Sequence, residues 1–91
     1  MTAKRLVIRG RVQGVGYRYA MVDAAMASGV TGWVRNRRDG SVEALVQGEP
    51  AAIESIIAWC RRGPSTARVS AIDEIDALDE AVTGFELRPT V

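Results

Sequence analysis

The order in which strand-forming and helix-forming stretches alternate constrains this chain more than any other property of its sequence. Leu6, Val7 and Ile8 make a short β-rich run that ends at Gly10. Good helix formers follow from Arg18 to about Ser28, with Tyr19, Val22 and Met26 at i, i+3 and i+7 and Gly29 where a C-terminal cap belongs. VTGWVRN and SVEALVQG are both β-rich with RRDG between them, which reads as a hairpin; in the second, Val42, Ala44 and Val46 alternate with Glu43 and Gln47. Pro50 opens a second helix whose stripe is Ile53, Ile56, Ile57 and Cys60, and Gly63-Pro64 closes it. RVSAIDEIDAL then reads as a strand with imperfect alternation, and GFELRP offers a last short strand around Phe85 and Leu87. The expected fold is α+β, a ferredoxin-like split βαβ sandwich of order βαββαβ with room for a fifth C-terminal strand: an antiparallel sheet with two helices on one face.

That topology makes a spatial prediction. A β-α-β crossover leaves the first two strands parallel, with their C-terminal ends at one edge of the sheet. The glycine-rich loop after the first strand and Asn36 at the end of the second should therefore be neighbours, with the strand that starts near Ser41 antiparallel between them. At 91 residues one core is expected, because a chain of this size buries roughly 60–65% of its unfolded surface. Residues 1–91 are accordingly read as a single domain without repeats or an internal linker.

Composition narrows the chemistry. Twelve Lys and Arg against eleven Asp and Glu give a net charge of +1, so any anion site must be local and no global field favours nucleic acid or an anionic membrane. The chain has no histidine and one cysteine, which excludes Cys-His catalysis, histidine-based zinc sites and an internal disulfide. Cys60 lies in an apolar helical stripe and reads as a small core residue. No apolar run is long enough for a signal peptide or a membrane span, and a cytoplasmic protein is expected.

The stretch GRVQGVGYR, Gly10 to Arg18, carries the clearest chemical signal. Gly14 and Gly16 allow consecutive N–H groups to turn inward as a nest for an anion, and the loop runs into the positive end of the first helix. Arg18, in that first turn, can grip phosphate oxygens with two parallel charge-assisted bonds and stays protonated. The loop matches neither a Walker motif nor a dinucleotide fingerprint, so alone it also reads as a tight strand-to-helix turn with a solvated arginine. Asn36 alone also reads as a strand end before the Asp39-Gly40 turn. The convergence of the two gives both a chemical reading: phosphate held by the loop and Arg18, and a water oriented by Asn36.

IRGRVQGVGYR followed by GWVRNRRDGSVEALVQG resembles the paired signatures of the acylphosphatase family, and the likeness extends over essentially the whole chain, through GPSTARV to GFELRP. The resemblance implies hydrolysis of the carboxyl-phosphate bond of acyl phosphates by in-line attack of water, with no metal and no cofactor. By position, it implies Arg18 and Asn36 as catalytic residues and a phosphate cradle of Gln13, Gly14, Val15, Gly16, Tyr17 and Arg18. Its expected partners are a small-molecule acyl phosphate and inorganic phosphate as product and inhibitor, with no nucleic acid and no membrane, and a monomer is expected. Tyr17 departs from the family's usual phenylalanine and brings a hydroxyl that needs a partner or solvent.

Competing sites weigh less. Asp73, Glu74, Asp76, Asp79 and Glu80 lack the spacing and the glycine of a calcium loop and read as a solvated acidic face. Arg35, Arg37 and Arg38 form a basic cluster that could attract anionic substrates to the same edge. RNA-recognition domains share the βαββαβ order but stack bases on sheet aromatics, which RLVIRG and SVEALVQG do not offer. A phosphate-sensing module without turnover is the other alternative, separable by assay.

Overall fold

A computed structural model describes residues 1–91. Strand β1 (Thr2–Arg11) is followed by helix α1 (Tyr17–Ser28), the hairpin β2 (Thr31–Asn36) and β3 (Val42–Gly48), helix α2 (Pro50–Arg62), strand β4 (Arg68–Asp76) and the short strand β5 (Phe85–Leu87). The spatial order is β4-β1-β3-β2-β5. Both β1 and β2 pair antiparallel with β3 and are therefore parallel to each other, as expected. Ile8 and Asn36 face the same residue, Val42, from opposite sides, which brings the ends of β1 and β2 to one edge. The fifth strand exists, but it pairs parallel with β2, so the sheet is mixed rather than wholly antiparallel. The connection after β4 crosses to the far edge, bonding to Ala3, Gln47 and Gly32 on the way, and so delivers β5 in the direction of β2.

Leu6, Ile8, Val34, Val42, Ala44 and Val46 form the sheet's side of the core, and Met21, Ala25, Ile53, Ile56, Ile57 and Cys60 the helices' side. The α2 stripe is the one the 3.6-residue period predicts, with Pro50 in its first turn. In α1 the buried face is Tyr17, Met21 and Ala25, whereas Tyr19 and Met26 are 67% and 64% exposed. The expected stripe through Tyr19, Val22 and Met26 has the wrong phase: α1 is apolar on several sides, and periodicity does not choose between them. Gly29 ends α1 in the left-handed conformation, and the Val30 N–H returns to the Ala25 carbonyl at 3.0 Å, a Schellman closure with both side chains buried.

The alternation in β3 does not separate core from solvent, because every residue from Val42 to Gly48 is buried. On the face away from the helices, Glu43 lies between Arg5 at 3.0 Å and Arg35 at 2.8 Å, and Gln47 exchanges two hydrogen bonds with the Glu80 backbone. Trp33, 4% exposed, is flanked by the guanidinium groups of Arg35 and Arg88 at 4.5 and 5.0 Å and donates its indole N–H to Glu80.

Candidate active site

The loop between β1 and α1 owes its shape to Gly14 and Gly16, whose φ of 72° and 78° lie in the left-handed region that side chains with a Cβ avoid. None of the main-chain N–H groups of Gln13, Gly14, Val15 and Gly16 donates within the protein, and the helical ladder begins only with the Ala20 N–H on Gly16. Helix α1 has no side-chain cap and no acidic residue in its first turn. Its free N–H groups and partial positive charge therefore remain directed at the same place, an arrangement that favours an anion by about 0.3–2 kcal/mol.

A cleft of about 160 Å³ opens there. Gln13, Gly14, Gly16, Tyr17, Arg18 and Asn36 all line it, joined by Val12 and Tyr19. The topology thus brings Arg18 and Asn36 together across 18 residues of sequence. Val15 does not line the cleft; its carbonyl accepts a hydrogen bond from the Thr66 hydroxyl at 2.7 Å, which anchors the loop from behind. No carboxylate lines the cleft, and Arg18 has no acidic partner, its guanidinium lying 5.9 Å from the Tyr19 ring. Asn36 Oδ1 is shut off from solvent and accepts no hydrogen bond from the protein. Its main-chain carbonyl, by contrast, is held by the Val91 N–H at 3.2 Å.

Two cleft residues have roles that sequence reasoning missed. Tyr19 stands at the exposed rim; its aromatic character gave no hint, because the same character suits a core position. The Gln13 side chain donates to the carbonyls of Arg37 at 2.7 Å and Ser41 at 2.9 Å, contacts that nothing in the local pattern announces.

The Tyr17 hydroxyl has a partner, the Cys60 carbonyl at 2.8 Å. In a continuing helix that carbonyl would receive the N–H of residue 64, which is proline and has none. Tyr17 supplies the missing donor. Burial, with the Cys60 neighbourhood adding to it, drives the Tyr17 hydroxyl far above its ordinary ionisation range, so it stays a donor. Burial likewise pushes the Cys60 thiol up to about 12, consistent with a core position.

Several members of the other charge clusters are paired. Asp73 meets Arg9 at 3.2 Å, and Glu74 meets Arg61 at 2.7 Å and Lys4 at 3.4 Å. Arg35 serves Glu43 on the outer face of the sheet and is not among the residues that line the cleft. Asp39 accepts from both the hydroxyl and the N–H of Ser41, bonds that hold its carboxyl below the usual range and stiffen the β2–β3 turn.

The acylphosphatase family model matches residues 4–87. The chain is 50% identical to an acylphosphatase of Synechococcus over 92% of its own length and 89% of that protein's. Its structure superposes on the crystal structure of acylphosphatase from Bacillus subtilis with a TM-score of 0.93 at 34% identity, covering 97% of this chain and 99% of that one. An acylphosphatase from Coxiella burnetii gives 0.91 at 32% identity, over 96% and 92% of the two chains. With loop, arginine and asparagine in one cleft and both signatures in order, the chain belongs to the acylphosphatase family.

Proposed function

We propose that the cleft hydrolyses acyl phosphates by direct, in-line attack of water on phosphorus, without a metal ion. The observation that carries this reading is the meeting, in one cleft, of Gln13, Gly14 and Gly16, whose main-chain N–H groups donate nowhere in the protein, with the unpaired guanidinium of Arg18 and with Asn36, whose side-chain oxygen has no partner in the protein. The N–H groups from Gln13 to Arg18 and the Arg18 fork hold the phosphoryl oxygens and neutralise the charge that a metal would otherwise offset. The Asn36 side-chain amide hydrogen-bonds the attacking water and fixes its direction. The leaving carboxylate has a conjugate-acid pKa of about 4, so it departs without a protein acid. A cleft without histidine or carboxylate suits that reaction.

The loop, Arg18 and Asn36 meet in a cleft formed by residues 12–36, so the reaction as read needs one copy of a single domain over residues 1–91. A core completed without disulfides, with its one thiol buried, favours a reducing, cytoplasmic setting. RNA binding is disfavoured by the outer face of the sheet, where Trp33 is already buried with the guanidinium groups of Arg35 and Arg88 against its ring.

The test pairs benzoyl phosphate with a phosphate monoester as control. Cleavage of the acyl phosphate alone, with inorganic phosphate as a competitive inhibitor, is expected. Arg18→Gln should lose both phosphate affinity and turnover, the latter by roughly a hundredfold or more. Asn36→Ala should keep its phosphate inhibition constant while kcat drops steeply. Both variants are first checked for folding by circular dichroism. Wild-type turnover in folded Asn36→Ala, or undiminished phosphate affinity in folded Arg18→Gln, would refute the assignment.

A further inference from the structure

The Gln13 side chain is placed for a task that its main-chain N–H does not perform. A glutamine amide has two N–H hydrogens, and both are committed, to the carbonyls of Arg37 at 2.7 Å and Ser41 at 2.9 Å. Arg37 directly follows Asn36, and Ser41 directly precedes Val42, the residue paired with Asn36 across the hairpin. The amide therefore grips both strands where the β2–β3 hairpin opens. The Ser41 carbonyl also receives the Arg37 N–H at 2.9 Å, and Asp39 holds Ser41 at its N–H and hydroxyl. The gripped turn is thus braced from within. Of all the side-chain and main-chain hydrogen bonds, only the two from Gln13 join the loop from Val12 to Gly16 to this hairpin.

We infer that Gln13 is a positioning residue: its side-chain amide sets the distance between the phosphate cradle and Asn36, and so the line along which water meets phosphorus. The inference rests on the reading of Asn36 given above. It gives one residue two separable functions, a main-chain N–H for the phosphoryl group and a side chain for alignment. A displacement of about 1 Å costs roughly a hundredfold in such a reaction, whereas the cradle's affinity for phosphate does not depend on where Asn36 stands. Loss of the side-chain bonds should therefore appear in kcat and leave phosphate binding nearly alone.

The experiment is a double-mutant cycle on benzoyl phosphate hydrolysis with Gln13→Met, which keeps length and volume but donates nothing, in the parent and in the Asn36→Ala background. In the parent, kcat should fall roughly tenfold to a hundredfold while the inhibition constant for inorganic phosphate changes less than about threefold, within roughly 0.65 kcal/mol. In the Asn36→Ala background the same substitution should change kcat less than about twofold, because the group it positions is gone. Unchanged kcat in folded Gln13→Met overturns the inference. So does an equal loss in both backgrounds, or a matching loss of phosphate affinity, since either means that Gln13 only shapes the loop. If Gln13→Met does not fold, Gln13→Leu, which is also neutral and donates nothing, takes its place in the same cycle. Failure of the Asn36 reading itself is seen separately, as undiminished turnover in Asn36→Ala with Gln13 intact.

Discussion

Tyr17 shows how one atom beyond the family's usual phenylalanine is accommodated. Its hydroxyl completes the C-terminal turn of α2 by bonding the Cys60 carbonyl that Pro64 leaves without a donor. Its ring packs so close to the next turn that a Cβ at Gly63 would stand 2.8 Å from Tyr17 Cε2. Tyr17→Phe removes one buried hydrogen bond and keeps the ring, so it should lower the free energy of unfolding by about 0.5–1.5 kcal/mol in urea titrations. The hydroxyl binds to the helix and not to substrate, so kcat on benzoyl phosphate should be unchanged; a variant as stable as the parent would show that the bond contributes nothing. Arg18 and Asn36 were legible as candidates because residue type and position suffice to suggest them. The partners of Tyr17 and Gln13 were not, since they lie 43, 24 and 28 residues away.

Among the elements, β3 carries the least expected energetics, a carboxylate inside a strand covered on both faces. Burial alone would raise the ionisation range of Glu43, but the hydrogen bonds from Arg35 and Arg5 outweigh it and hold it below the usual range. A carboxyl lowered in the folded state contributes stability above its unfolded value, about 4.3, and loses that contribution as pH falls through the folded value. Glu43→Gln should therefore be less stable than the parent by about 1–3 kcal/mol at pH 7, with the gap narrowing below about pH 4. Urea unfolding at pH 7 and pH 3 checks this, and an equal gap at both would show that charge is not the cause. Element type was readable throughout, since strand and helix patterns differ in period. The buried side of α1 was not, and neither was the burial of Glu43 and Gln47, which depends on arginines and on a connection supplied from elsewhere in the chain.

For the whole molecule, catalysis is assigned to main-chain N–H groups, one guanidinium and one amide. Hydrolysis of benzoyl phosphate should accordingly be unaffected by EDTA, measured as kcat before and after dialysis against it; activity lost with chelator and restored by magnesium would overturn the mechanism. The sequence by itself determined the element order, the parallel relation of β1 and β2 and hence the meeting of the loop with Asn36, because period, glycine placement and crossover geometry are local or topological rules. It also determined family membership, since two long signatures in order leave little freedom. Only the tertiary structure decided the parallel pairing of β5, the phase of α1, the burial of the outer face of β3 and the hold of Gln13 on the hairpin. Each of these depends on which distant surface arrives to cover a residue or satisfy its hydrogen bonds, and that is set by the packed chain rather than by any residue's neighbours in sequence.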